Sequence, residues 1–78
     1  MSGWSPQQAI AMERRHIKAA EKRIVRQEAL VNELVEQGHE QLAHTANQML
    51  DVLRESLRLS RDRVQYLELR YGTAPAEN

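Results

Sequence analysis

A single residue, Gly38, divides the stretch between Pro6 and Gly72 into two runs of nearly equal length, neither of which contains a proline or another glycine. Both runs are rich in Ala, Leu, Glu, Gln, Arg and Lys, which are good helix formers. This punctuation predicts two long helices joined at a glycine that supplies the left-handed turn. Each helix of ~30 residues reaches about 45 Å at 1.5 Å per residue. So short a connection sends the second helix back along the first. Ser5-Pro6-Gln7-Gln8 reads as the start of the first helix. Ser5 can cap, Pro6 falls where a missing N–H costs nothing, and Gln8 stands where a capping box needs it. Trp4 is placed to staple against Ala9. The expected plan is a cap segment at 1–5 and a hairpin over 6–71, followed by a disordered tail at 72–78. Within the hairpin, helix one covers about 6–37, the turn 38–39 and helix two about 40–71.

The apolar residues recur in heptads. Ile10, Ile17, Ile24 and Val31 form one line of the first helix, and Glu13, Ala20, Gln27 and Leu34 form the line three residues on. The second helix carries Ala43, Leu50, Leu57, Val64 and Tyr71, interleaved with Ala46, Leu53, Ser60 and Leu67. Both are a/d repeats of the left-handed coiled-coil type. Folding the chain at Gly38 sets Ile10 against Leu67, Ile24 against Leu53, Ala20 against Leu57 and Gln27 against Leu50. Every a position then faces a d position, with large residues repeatedly opposite small ones. The expected fold is all-α, an antiparallel two-helix coiled-coil hairpin. Its seam comprises Ile10, Ile17, Ala20, Ile24, Gln27, Val31, Leu34, Leu50, Leu53, Leu57, Val64 and Leu67. Gln27, polar and near mid-seam, is expected to set register at some cost in stability.

Two helices share one seam and have no second layer behind it. A chain of 78 residues without cysteine has no disulfide to supplement so small a core, which leaves association as the remedy. The second helix supplies a surface for it in Leu42, Met49, Val52, Leu59 and Tyr66, where Val52, Leu59 and Tyr66 again recur every seven residues. Scattered exposed hydrophobes are ordinary, but repeated spacing and the presence of Met and Tyr favour a contact surface. Charge placement suggests its geometry. Arg14, Arg15, Lys18, Lys22, Arg23 and Arg26 outweigh Glu13, Glu21 and Glu28, whereas Glu33, Glu36, Glu40, Asp51 and Glu55 outweigh Arg54. Arg58, Arg61, Arg63 and Arg70 outweigh Asp62 and Glu68. The loop end is thus acidic and the open end basic, and two such rods attract head to tail. The expected assembly is a homodimer forming a four-helix bundle.

Chemistry is sparse. The absence of Cys excludes a thiol site or a Cys-ligated metal. Glu13 and His16 have the Glu-x-x-His spacing of di-iron bundles, but Arg61 opposite would repel a metal, and Glu13 is expected to pair with an arginine instead. His39 is expected in the turn, and His44 on a solvated or dimer-facing surface. No phosphate-binding glycine loop, nucleophile elbow or paired central carboxylates are present. We therefore expect no enzyme, cofactor or metal. No uncharged run approaches the ~18 residues of a membrane span, and the opening residues lack a signal peptide's apolar stretch. A soluble cytoplasmic protein is expected.

Nucleic acid is the alternative partner. Arg15, Lys18, Lys22 and Arg26 line one flank of the first helix, with Arg58 and Arg61 nearby on the second. Such a patch can track phosphates. Against this, acidic residues are interspersed, Lys+Arg and Asp+Glu balance at 11 each, and stacking aromatics are scarce. A self-associating interaction or regulatory module, with room for a further protein partner, is the favoured expectation.

The residues Arg15-His16-Ile17, Ala20-Glu21, Arg23-Ile24, Arg26-Gln27, Leu30-Val31, Leu34 and Gly38-His39, with the Leu50, Leu53, Leu57 ladder and the Arg-rich turn after it, resemble short helical-hairpin proteins of rhizobial and related alphaproteobacteria. The resemblance spans roughly residues 14–63. It implies a bacterial cytoplasmic protein, and it carries over neither an activity nor a catalytic residue.

Overall fold

A computed structural model of the chain describes residues 3–72 and shows two helices, α1 (Pro6–Glu36) and α2 (Glu40–Tyr71), packed against each other as a hairpin. The expected tail lies, apart from Gly72, outside the described residues, as do the first two residues of the cap segment. The described part measures 54 × 29 × 17 Å, the dimensions of a single layer of two helices.

Each end of α1 follows from local chemistry. The Ser5 hydroxyl accepts the Gln8 backbone N–H at 3.1 Å from an extended backbone, and Pro6 occupies the first turn. At the other end Gly38 takes φ +79°, the His39 N–H donates to the Leu34 carbonyl at 2.9 Å, and the Gly38 N–H donates to that of Val35 at 3.1 Å. These two bonds are the Schellman pattern, which satisfies helix-end carbonyls and turns the chain in two residues. The helix stops at Glu36, with Gln37 as its cap. His39 then caps α2 through its backbone only, and Gly72 ends that helix at φ +65°.

The buried side chains are Ile10, Ile24, Ala43, Ala46, Leu50, Leu57 and Val64. Ile24, Leu50 and Leu57 form its centre, with Ile17, Ala20, Val31 and Leu53 half-buried against them. Gln27, Leu34 and Leu67 are also half-buried. Both seams therefore lie between the helices. No large side chain is fully enclosed among the described residues; Leu50, at 3%, retains the least exposure of the core. Tyr71 departs from the heptad expectation and is 44% exposed. The level of α1 opposite it is the first turn, Pro6-Gln7-Gln8-Ala9, which offers no large apolar side chain, and Trp4 packs edge-on against its ring instead, with centroids 5.4 Å apart.

Candidate functional site

The two flanks of the seam differ. Along one flank Arg14 bonds Glu68, Arg61 bonds Glu21 at 2.9 Å, and Arg54 bonds Glu28 at 2.8 Å. Each step is one heptad up α1 and one heptad down α2. These are the e positions, which face each other in an antiparallel pair. The charge order is +, −, − on α1 and −, +, + on α2. Slipping the helices by a heptad in either direction places one like-charged pair in contact, Arg14 with Arg61 or Glu21 with Glu68. Each slip also leaves one opposite-charged pair, Glu21 with Arg54 or Glu28 with Arg61, so a slipped ladder nets about zero where the correct one gains three exposed pairs of about 0.2–1 kcal/mol each.

Two polar contacts reinforce the register from within. The Gln27 side-chain amide donates to the Ala46 carbonyl of α2 at 2.8 Å, a reach that the small side chain at 46 leaves open. Glu13 accepts from Arg63 at 2.6 Å, with His16 Nδ1 3.5 Å from its other oxygen. The hydrogen bond from Arg63 holds the Glu13 carboxyl below the usual glutamate range; burial opposes this, and the Arg63 charge, His16 and Ser60 assist it. The Glu-x-x-His pair thus presents a carboxylate already held by a guanidinium.

The candidate nucleic-acid contacts divide into two groups. Arg58 is held between Glu55 at 2.6 Å and Asp62 at 2.9 Å, and Arg61 by Glu21. Arg15, Lys18, Lys22 and Arg26 are exposed and stand outside the ion pairs of the described residues. An open groove of about 610 Å³ follows this flank, lined by Arg14, Arg15, Ile17, Lys18, Glu21, Arg61 and Val64. Two of its four cations are already engaged by carboxylates. The surviving positive surface is a line on the back of α1 rather than a patch spanning both helices.

The other flank carries an apolar stripe, interrupted at Arg63. Leu42 and Met49 occupy g positions of α2 and Val52, Leu59 and Tyr66 the adjacent c positions, so they share one side of the helix. All five are exposed, from 45% at Leu59 to 68% at Val52. Leu30 of α1, a g residue on the same flank, is exposed as well. Successive members stand seven, three, seven and seven residues apart, so the stripe shares the heptad recurrence of the buried seam without filling every step of it. Sequence reasoning found this stripe but missed the ionic ladder opposite, whose signal was the heptad alternation of Arg14, Glu21 and Glu28 against Arg54, Arg61 and Glu68. It also missed the Trp4–Tyr71 contact, for which a lone aromatic before a capping serine offers no partner to read. Among the described residues no helix is long and apolar enough to cross a membrane. Protein-family models, curated proteins and solved structures were compared with the chain, and none matches it.

Proposed function

We propose that this protein is a small non-enzymatic interaction module of the cytoplasm that works by self-association, two hairpins joining through the back of α2 into a four-helix bundle. The observation that carries the reading is the exposed line Leu42, Met49, Val52, Leu59 and Tyr66. Val52, Leu59 and Tyr66 repeat the heptad recurrence of a buried seam, on a hairpin that has no second layer. A partner seated there would remove several half-exposed side chains from water at about 25 cal/mol per Å².

Sedimentation equilibrium over a micromolar concentration series tests the proposal. The expected mass is twice the 9.0 kDa of one chain, and Leu59→Glu, which places a charge in the stripe, is expected to return it to one chain without loss of helix content. A folded wild-type monomer throughout the series refutes self-association. Binding to duplex DNA that falls steeply with salt would favour nucleic-acid association instead.

A further inference from the structure

Ion pairing within the hairpin consumes its charges unevenly. Arg14, Arg54, Arg58, Arg61 and Arg63 are all engaged by carboxylates. The cations outside these pairs are Arg15, Lys18, Lys22, Arg23, Arg26 and Arg70, and the carboxylates outside them, among the described residues, are Glu33, Glu36, Glu40 and Asp51. Glu33, Glu36 and Glu40 crowd the turn, within about 10 Å of it at 1.5 Å per residue. The cations begin at Arg26 and continue to Arg70 at the open end. What the molecule presents to a second copy is therefore a rod negative at one tip and positive over the rest. Two rods side by side in the same sense set each tip against its own kind. Head to tail, each acidic turn meets a basic open end.

The apolar stripe narrows this to one register. On its side of α2 the successive positions are Leu42, Thr45, Met49, Val52, Ser56, Leu59, Arg63 and Tyr66. In a reversed copy with Val52 facing Ser56, Leu42 faces Tyr66, Met49 faces Leu59, and Arg63 faces only Thr45. Slid by one heptad in one direction, Tyr66 runs past the turn of the other copy. Slid in the other direction, Arg63 falls on Val52 and Leu42 loses its partner. The matched register also brings Glu33 level with Arg15 of the other copy, Asp51 level with Lys18 and Lys22, and Glu40 level with Arg70, each within about 3 Å along the rod. The register that best covers the apolar side chains thus also sets three of the four leftover carboxylates level with cations of the other copy, while Arg23 falls level with its own counterpart at the two-fold axis.

We infer that the occupant of the α2 stripe is a second copy of this chain, running head to tail, with its two-fold axis at the level of Arg54 and with Val52 facing Ser56 across it. The inference rests on the self-association proposed above and specifies its polarity and register. Spin labels test it, because the chain has no cysteine of its own. Gln41→Cys and Gln48→Cys place single labels on exposed, uncharged positions outside the stripe. In the head-to-tail dimer the two Gln41 labels stand about 40 Å apart along the rod and the two Gln48 labels about 18 Å, before a common lateral offset. Double electron–electron resonance should therefore give a Gln41 distance much longer than the Gln48 distance. Two similar short distances in a sample of dimeric mass overturn the head-to-tail arrangement while leaving self-association standing. A labelled chain of monomeric mass, matched by an unlabelled monomer, overturns both.

Discussion

Leu50→Ala probes the centre of the seam. Leu50 retains 3% exposure and lies in the cluster with Ile24 and Leu57, so truncation removes three carbons from the best-enclosed point of the hairpin. Buried Leu→Ala changes cost about 2–5 kcal/mol, the higher values belonging to sites that cannot collapse. Leu50 sits in a single seam between two helices in which no large side chain is fully enclosed, so neighbours can close over the gap and the lower half of the range applies, about 2–3 kcal/mol. A folded unit of this size is stabilised by roughly 4–10 kcal/mol, which makes the loss a large fraction of the whole. With a urea m-value near 1 kcal/mol/M, the midpoint followed by circular dichroism at a fixed protein concentration should fall by roughly 2–3 M. Leu69→Ala is the control: its side chain is 79% exposed, and its change should stay within about 0.5 kcal/mol. A Leu50→Ala loss no larger than the control's would refute the placement of the seam.

Three further outcomes follow from named contacts. Gly38→Ala should cost about 1–2 kcal/mol from the left-handed backbone alone, since a Cβ there meets nothing within 4 Å; an unchanged urea midpoint would contradict the φ of +79°. The Arg63 hydrogen bond lowers the Glu13 pKa in the folded chain, so its stabilisation is complete above the ordinary glutamate value of about 4.3 and is lost as pH falls through the depressed folded value. Urea midpoints of Glu13→Gln should accordingly show a flatter acid limb than wild type, and superimposable limbs would count against the pairing. Glu21→Arg or Arg61→Glu alone should destabilise by up to about 1 kcal/mol, the double reversal should restore most of it, and both effects should shrink in high salt. Additive losses in the double variant would mean that the two side chains do not meet.

The hairpin was legible because its signals are local and redundant. Gly38 stands alone between two uninterrupted runs, and two heptad lines read separately agreed in phase when folded at that glycine. Ser5 and Pro6 announced the first turn through chemistry confined to four residues. The contacts that escaped depend on which side chains of two helices finally face each other. Arg54 and Glu28 are far apart in the chain, and either could have paired with a neighbour on its own helix, as Arg58 does with Glu55 and Asp62. Trp4 was read as a staple against Ala9, yet its ring meets Tyr71, whose level on α1 is a first turn with no large apolar side chain to cover it. The apolar stripe was visible as spacing, but its segregation from the ionic flank emerged only once both helices were in register.

The claim on which the functional account depends is that the hairpin completes its core with another molecule of itself. Its most direct measurement is the thermal midpoint of the wild-type protein against concentration, followed by circular dichroism over two decades. Dimerisation coupled to folding makes the midpoint concentration-dependent by mass action, and the expected rise is roughly 3–6 °C per tenfold increase. A midpoint that stays constant across the series, coincident with that of Leu59→Glu, would show that one hairpin stands alone and that the stripe on α2 is not a self-association surface.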